Sequence, residues 1–353
     1  MSGVAWLALA FVAGLVLLVL GGEWLVRGAS RLAARLGVPS LVIGLTVVAF
    51  GTSAPELAVT VGAAVSGGPA ADLALGNVVG SNIFNVLFIL GISALVTPLA
   101  VNLRMVRLEV PVMIAVSVLC LVLIANGHVG RAEGLLLVAG LVAYTVFTLV
   151  QSRAAASADD AAPTGTGAVW RQLLLIVGGL VVLVVGSRLL LHGAVGAARL
   201  IGVSETVIGL TIVAAGTSLP ELTTSVLAGL RGERDIAVGN VVGSNIFNIL
   251  GVLGLAAVIA PAGVIAPPAV IAFDGWVMLA VAALCLPVFF TGYRIERWEG
   301  GLFLLYYLAY SAWLILDATG HDALPAFSGV MLWGVLPLTV LTLVVSLRRR
   351  STG

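Results

Sequence analysis

Charge is scarce in this sequence, and lysine is absent from it. Only 9% of the 353 residues are charged, whereas 61% are hydrophobic and the mean hydropathy is +1.19. A soluble domain usually carries about 25% charged residues. The composition therefore excludes an ordinary soluble domain and indicates a chain that lies in lipid. We expect the bilayer as its surroundings and no nucleic acid as a partner.

Soft and borderline metal ligands are also scarce. Cys120 and Cys285 each lie in the middle of an apolar stretch, where a small polarizable side chain packs well. The three histidines, His128, His192 and His321, lie far apart. The sequence therefore predicts no zinc, copper or iron centre and no other cofactor. Since no nucleophile, base and orienting group occur together, we expect no enzyme activity and a ligand bound through oxygen.

Apolar stretches recur along the chain, each near the ~20 residues that an α-helix needs to cross a bilayer. They predict an all-α polytopic membrane protein with ten core transmembrane helices and an eleventh at the C-terminal end. The first stretch follows no basic region, so we interpret it as a retained span rather than a signal peptide. The predicted spans cover residues 4–26, 40–65, 73–96, 108–126, 134–151, 172–193, 204–230, 236–259, 269–291, 301–317 and 326–346.

The basic residues predict the orientation, because cytoplasmic loops retain positive charge during insertion. With the N-terminus outside, most arginines fall on the cytoplasmic side, and only Arg131, Arg188 and Arg199 fall outside. An eleventh span returns the arginines at 348–350 to the cytoplasm. We therefore predict a multi-pass protein of the plasma or inner cell membrane, with its N-terminus outside and its C-terminus cytoplasmic.

Two long motifs each occur twice. GLTVVAFGTSAPEL at residues 44–57 returns as GLTIVAAGTSLPEL at 209–222, and GNVVGSNIFNVLFILG at 76–91 returns as GNVVGSNIFNILGVLG at 239–254. An odd number of predicted crossings separates the copies, so they run through the bilayer in opposite directions. Inverted repeats are an architecture of secondary transporters, and they predict an inverted-repeat transporter fold of two five-helix halves.

The repeats divide the chain into segments. We predict a first half at residues 1–151 and a second half at 171–318, followed at 319–353 by the additional helix and a basic cytoplasmic tail. Residues 152–170 between the halves are rich in Ala, Ser, Thr, Gly and Asp. This composition is typical of a flexible linker, which the orientation places in the cytoplasm.

Each copy of the first motif carries one acid within an apolar span, Glu56 or Glu221. A central acid in a membrane helix costs about 2.5–3.5 kcal/mol on insertion scales, so two of them indicate an ion site rather than a structural role. A glycine and a proline flank each acid and predict a break in each helix, because proline removes a backbone donor. The flanking residues are Gly51, Pro55, Gly216 and Pro220.

A broken membrane helix frees backbone carbonyls, which are tolerated where they line a cavity. Calcium binds about six to eight oxygens from carboxylates, carbonyls and hydroxyls, and two carboxylates balance its charge. The candidate hydroxyl ligands are Thr52, Ser53, Thr217 and Ser218, and the candidate carbonyls are those of Ala49, Thr52, Ala214 and Thr217.

The second motif places polar residues at i, i+4 and i+8, which keeps them on one helical face. Neutral amide and hydroxyl oxygens there can complete the shell of a monovalent ion without added charge, which suits sodium. These residues are Asn77, Ser81 and Asn85 in the first copy and Asn240, Ser244 and Asn248 in the second.

Structural interpretations compete with some of these assignments. Small residues four apart are typical of close helix packing; the pairs are Gly76/Gly80 and Gly239/Gly243. Interhelical hydrogen bonding is as good an interpretation as ion binding for four asparagines; they are Asn77, Asn82, Asn240 and Asn245. Glu23 and Arg188 occupy equivalent repeat positions and could pair, but both lie near span ends, so we expect their charged groups to reach the membrane interface.

GTSAPEL and GTSLPEL, each followed by GNVVGSNIFN, resemble the two α-repeats of the cation/calcium exchanger superfamily. The resemblance extends over nearly the whole chain and points to the prokaryotic sodium/calcium exchanger branch. It implies that Glu56 and Glu221 bridge the transported ions. The further ligands that it implies for sodium or calcium are Thr52, Ser53, Thr217, Ser218, the carbonyls of Ala49 and Ala214, Ser81, Asn85, Ser244 and Asn248.

One departure from related branches concerns potassium. Some relatives carry Asp at the position of Asn248, and in the potassium-dependent branch that Asp is associated with potassium transport. Here this position and its repeat equivalent, Asn85, are both Asn, so we expect potassium to be neither required nor carried. The GNxxE acid that is typical of calcium/proton exchangers is also absent, since GNVVGSN stands in its place.

The sequence thus predicts a secondary active antiporter that exchanges sodium for calcium by alternating access, with sodium entry driving calcium out of the cell. Competition of the two ions for the same carboxylates supplies the coupling. Two rivals stay open, because paired acids can also bind protons in a calcium/proton antiporter or form the selectivity ring of a passive channel. No protein partner is implied, and we expect a monomer.

Overall fold

The computed structural model describes residues 3–67, 71–156, 169–201, 214–339 and 342. Within these ranges the chain is almost entirely helical, which confirms the predicted all-α class. The helices are α1 (Gly3–Leu36), α2 (Ser40–Thr52), α3 (Ala54–Ser66), α4 (Leu73–Val96), α5 (Met105–Ile124), α6 (Arg131–Ala156), α7 (Val169–Leu200), α8 (Ala214–Gly216), α9 (Leu219–Leu230), α10 (Arg234–Ile259), α11 (Val270–Phe290), α12 (Arg297–Ala318) and α13 (Leu324–Thr339).

Among the described residues, eight helices are long and apolar enough to cross a membrane, and the bent pair α2–α3 makes a ninth candidate span. α4 and α10 are the most buried of them. The other spans expose large apolar side chains, such as Trp6 on α1, Leu136 on α6 and Trp276 on α11. Apolar surface of this extent suits lipid rather than water.

Three predicted segments extend beyond the described residues. Residues 204–213 of the predicted span at 204–230 lie outside the described residues. Helix occupies both edges of the predicted linker, since α6 continues to Ala156 and α7 begins at Val169. α13 is apolar but too short to span by itself, and the remainder of the predicted eleventh span also lies outside the described part. The count of ten core spans and an eleventh therefore stays a prediction.

The predicted break in each acid-bearing helix is present. α2 ends at Thr52 and α3 begins at Ala54, with a bend of 44° between them. Pro55 lies in the first turn of α3, where a helix does not need the missing backbone N–H. In the second copy α8 ends and α9 begins at the equivalent place, with Pro220 in the first turn.

Four two-residue strands tie the repeats to each other. They are β1 (Leu99–Ala100), β2 (His128–Val129), β3 (Val264–Ile265) and β4 (Arg294–Ile295). β1 pairs with β4 and β2 pairs with β3, both antiparallel. Because β1 and β2 lie at opposite ends of α5, one cross-repeat strand pair closes each end of the bundle.

α1 and α7 pack along a seam of glycines spaced seven residues apart. The seam consists of Gly14, Gly21 and Gly28 on α1 and Gly179, Gly186 and Gly193 on α7. A Cβ added to Gly21 would lie 2.8 Å from the carbonyl oxygen of Gly179, which is inside van der Waals contact. The two backbones therefore approach as closely as small residues allow, and α1 and α7 form one packed pair.

Gly186→Ala should destabilise the protein, because the added Cβ would lie 2.8 Å from the Leu18 backbone nitrogen and 3.0 Å from the Gly14 oxygen. Overpacking of this kind costs about 1–3 kcal/mol, so we expect a melting temperature in detergent several degrees below wild type. Gly178→Ala is the matched control on the same helix, since its Cβ meets only the Trp24 ring, at 3.8 Å. Equal melting temperatures for the two variants would contradict a tight seam.

Candidate ion-binding site

Glu56 and Glu221 lie in the first turns of α3 and α9, directly after the two helix breaks. Each residue is only 1% exposed. A carboxylate in the first turn faces the positive end of the helix dipole, which lowers the cost of burying its charge. The breaks therefore hold both acids at helix N-termini in the interior of the bundle.

Serine hydroxyls connect the two acids across the repeats. Ser218 Oγ donates to Glu56 Oε1 at 2.8 Å, and Ser53 Oγ donates to Glu221 Oε1 at 3.1 Å. Both serines are the residues at the breaks and are fully buried. Because each serine serves the acid of the other repeat, the two motifs form one site.

Asparagines on α4 and α10 brace the two broken helices. Asn77 Nδ2 donates to Glu56 O at 3.3 Å and to Thr60 Oγ1 at 2.9 Å. The equivalent bonds of the second repeat run from Asn240 Nδ2 to Glu221 O at 3.3 Å and to Ser225 Oγ at 3.0 Å. These bonds confirm the interhelical interpretation for both asparagines.

Four further asparagines form an amide cluster where α4 meets α10: Asn82, Asn85, Asn245 and Asn248. Asn82 Nδ2 donates to the backbone oxygen of Asn245 at 3.2 Å, and Asn245 Nδ2 donates to that of Asn82 at 3.3 Å. Asn85 Nδ2 donates to Asn245 Oδ1 at 3.0 Å, and Asn248 Nδ2 donates to Asn82 Oδ1 at 3.1 Å. The interhelical interpretation is thereby confirmed for Asn82 and Asn245 as well.

Several buried oxygens of this region have no hydrogen-bond partner among the residues that the structure describes. They are Glu56 Oε2, Glu221 Oε2, Ser81 Oγ, Ser244 Oγ, Asn85 Oδ1, Asn248 Oδ1 and Thr217 Oγ1. A buried polar atom without a partner costs about 1–3 kcal/mol, and a concentration of them needs an explanation. Two are carboxylate oxygens and the others are neutral, which is the donor set of a hard cation such as calcium.

The donor chemistry also argues against other metals. Within the described ranges, no group of three or more His, Cys, Asp or Glu side chains is placed to hold a metal ion. Zinc and copper sites use histidine or thiolate ligands. An all-oxygen set with two carboxylates instead suits a transported alkali or alkaline-earth cation.

The sodium/calcium exchanger protein family matches residues 6–150 and 171–316, which is most of the chain. The chain belongs to this family. It is therefore a membrane transporter, and the expectation that it is not an enzyme is confirmed.

Individual exchangers and relatives agree with this membership. CaxA of Alkalimonas amylolytica is 41% identical over 309 residues, covering 84% of this chain and 95% of that protein. The sodium/calcium exchanger MaX1 of Methanosarcina acetivorans is 33% identical over 336 residues, with the same two coverages. A structure of the sodium/calcium exchanger from Methanococcus jannaschii matches with a TM-score of 0.75 at 31% identity, covering 88% of this chain and 98% of that chain. These matches confirm the predicted superfamily and its prokaryotic branch.

One expectation about the backbone of this site needs correction. The carbonyl of Ala49 is not freed by the helix break, since it accepts the Ser53 N–H at 3.1 Å and lies 3.4 Å from the Thr52 hydroxyl. The reason is spacing, because Pro55 withdraws the donor from the carbonyl four residues earlier, at Gly51. The Ala49 oxygen therefore has only its second lone pair left for an ion.

The remaining predicted residues differ in their surroundings. Thr52 Oγ1 lies 3.1 Å from Asn240 Oδ1 and donates to it, whereas its repeat equivalent, Thr217 Oγ1, has no partner. Ala214 begins α8, and the backbone before it lies outside the described residues.

The predicted glycine packing holds for one pair. A Cβ on Gly243 would lie 2.7 Å from the Leu45 oxygen, and Gly239 also packs against α2. No described atom lies within 4 Å of a Cβ placed on Gly76 or Gly80. Residues 205–213 of the second repeat, which are equivalent to most of α2, lie outside the described residues, so packing of this pair stays a prediction.

Glu23 forms ion pairs with Arg27 on α1 and with Arg231 at the end of α9. Ser30 also donates to Glu233. These contacts tie one end of α1 to the α9–α10 turn. Arg27 is one helical turn from Glu23, whereas Arg231 is too distant in sequence for a local pattern to reveal. That the charged group of Glu23 reaches the membrane interface stays a prediction.

Two tyrosine–carboxylate bonds were not predicted. Tyr144 on α6 donates to Glu109 on α5 at 2.7 Å, and Tyr310 on α12 donates to Asp274 on α11 at 2.8 Å. Arg104 also donates to Glu109, at 2.9 Å. The sequence did carry a signal for these acids. Glu109 and Asp274 are 165 residues apart, which is the offset between the copies of the first motif, so they occupy equivalent positions in the two repeats.

A divalent cation should stabilise this exchanger, because binding gives the unpartnered oxygens a partner. At a calcium concentration of about 100 times Kd, the gain is about 2.7 kcal/mol, which should raise the melting temperature in detergent by several degrees. Glu56→Gln and Glu221→Gln should each lose most of this rise, whereas Asp322→Asn, on an exposed residue, should keep it. A full calcium-induced rise in either glutamine variant would contradict the site.

Proposed function

We propose that this chain is a secondary active antiporter that exchanges sodium for calcium by alternating access. The observation that carries the proposal is the set of unpartnered buried oxygens, which both repeats contribute around Glu56 and Glu221. The names of two matching proteins, MaX1 and the Methanococcus jannaschii exchanger, describe the same exchange for those proteins.

Charge balance supports coupling between the two ions. Two carboxylates neutralise one calcium ion or two sodium ions, so both kinds of ion compete for Glu56 and Glu221. Neutral oxygens of Ser81, Asn85 and their repeat equivalents can hold further sodium without added negative charge. Full coordination of calcium and of sodium at the same acids is mutually exclusive, which makes occupancy by one ion depend on release of the other.

The packing supports a moving part. The α1–α7 pair is joined by its glycine seam, and it contacts the site through Leu180 and Leu191, which pack on Gly51 and Gly216 at the two breaks. A displacement of this pair relative to the other helices of the halves at 1–151 and 171–318 would uncover the acids from one side or the other. The ion pair of Glu23 with Arg231 joins one end of α1 to the end of α9.

The charge distribution supports an orientation. With the N-terminus outside and the C-terminus cytoplasmic, the end that carries the Glu23–Arg231 ion pair faces the cytoplasm. In the plasma or inner membrane, sodium entering down its gradient would then drive calcium out. The transport unit in this proposal is a monomer, because both halves of the site come from one chain.

Calcium uptake into sodium-loaded proteoliposomes tests the exchange. After dilution into sodium-free and potassium-free buffer at matched pH, wild type should accumulate radioactive calcium, and Glu56→Gln and Glu221→Gln should lower the rate at least about tenfold, the effect of a 1.4 kcal/mol loss. Asp322→Asn serves as the transport control. Uptake driven by a proton gradient alone would make the chain a calcium/proton antiporter, and uptake without any internal cation would make it a channel.

Potassium should have no effect on this flux. Asn85 and Asn248 are both neutral, so the site lacks the third carboxylate that would balance a further cation. Uptake with and without external potassium should be equal, and radioactive rubidium, a potassium substitute, should not enter with calcium. Asn248→Asp is the informative variant, since it introduces a third carboxylate at the site. Potassium-stimulated uptake by wild type would refute potassium independence.

A further inference from the structure

We propose that Asn82 and Asn245 are positioning residues that set the direction of the Asn85 and Asn248 amides, and through them the affinity of the site for sodium. This inference rests on the proposed function for the identity of the ion. It assigns no ligand role to Asn82 or Asn245 themselves. The two residues act on the ligands of the opposite repeat.

The hydrogen bonds of the amide cluster form a closed cross-repeat arrangement. Asn82 Oδ1 accepts from Asn248, and Asn245 Oδ1 accepts from Asn85. The Nδ2 groups of Asn82 and Asn245 each donate to the backbone oxygen of the other residue. All four residues are at most 2% exposed. Water therefore does not compete for these bonds.

The direction of an asparagine amide decides whether it attracts or repels a cation. Its oxygen and its NH2 group have nearly the same shape but opposite hydrogen-bonding character. With Nδ2 of Asn85 and Asn248 directed to the cluster, their Oδ1 atoms are left buried and without partners. A reversed amide would turn N–H groups toward the ion and repel it. The cluster therefore keeps the amide oxygens of Asn85 and Asn248 available to a cation.

Asn82 and Asn245 have no hydrogen left to offer elsewhere. Besides the backbone bond, Asn82 Nδ2 contacts Met278 Sδ at 3.7 Å, and Asn245 Nδ2 contacts Met113 Sδ at 3.5 Å. Their Oδ1 atoms are taken by the amides of Asn248 and Asn85. The Oδ1 atom of each of these two side chains already accepts a hydrogen bond, whereas Oδ1 of Asn85 and of Asn248 accepts none among the described residues, which separates the two pairs.

Loss of this positioning should affect sodium more than calcium. Calcium draws most of its attraction from the two carboxylates, whereas the neutral oxygens matter most to a monovalent ion held beside them. Asn82→Leu removes the acceptor for Asn248, and Asn245→Leu removes the acceptor for Asn85. Each variant should raise the half-saturating sodium concentration about three- to tenfold, the effect of one hydrogen bond, and that for calcium less than about twofold.

The crossed partnership provides a sharper test through double variants. Because Asn82 acts through Asn248, Asn82→Leu should have little further effect on sodium once Asn248→Ala is present, yet its full effect should persist beside Asn85→Ala. Asn245→Leu should show the reverse pattern. A residue that only stabilises packing would add its effect equally in both backgrounds.

The measurement is ion-induced thermal stabilisation in detergent, with separate sodium and calcium titrations, followed by sodium-dependent calcium flux. Asn126→Leu, in the exposed turn before β2, is the control of the same residue type. If the leucine variants do not purify as folded protein, alanine replaces leucine at both positions. Equal weakening of sodium and calcium, or equal additivity in both backgrounds, would overturn the positioning role.

The binding titrations separate this inference from the proposed function. Selective loss of sodium affinity in the predicted pattern supports the positioning role even where wild-type vesicles show no exchange, and that combination would reject only the proposed function. Normal exchange by wild type with unchanged sodium affinity in both asparagine variants would reject only the inference.

Discussion

Two buried carboxylates constrain nearly every polar contact in the centre of this protein. Glu56 and Glu221 are as buried as the surrounding leucines and valines, where an unpaired charge is costly. Helix N-termini and serine hydroxyls lower that cost. Among the described residues, one oxygen of each acid is left without a partner, which suits a cation as its further partner. The broken helices bring both acids to this place.

The inverted repeat explains how a short chain builds such a site. Each repeat supplies one acid, one serine at a break and one set of asparagines, and the decisive contacts run between repeats: Ser218 to Glu56, Ser53 to Glu221, and the crossed amides of the cluster. Neither half satisfies its own acid.

Much of the site could be predicted because its residues carry strong local signals. An acid beside proline in an apolar span is expensive wherever it occurs, and its duplication made Glu56 and Glu221 stand out before any fold was known. The expectation that Ala49 has a freed carbonyl was wrong, because the pattern shows that a helix breaks but not which carbonyl loses its donor. The pairing of Glu23 with Arg231 could not be foreseen, because the two residues are far apart in sequence. The roles of Asn82 and Asn245 could not be separated from those of Asn85 and Asn248 by spacing alone.

The sequence by itself determined that the chain lies in lipid, that it is helical and that it is duplicated in inverted form. It also determined that each of two acids lies beside a break in its helix. These properties follow from composition and periodicity, which act residue by residue or turn by turn. Only the tertiary structure decided which serine serves which acid, in which direction the amides point and how closely α1 approaches α7. Those features depend on contacts between residues more than a hundred positions apart, and their energies exist only once the two repeats are packed together.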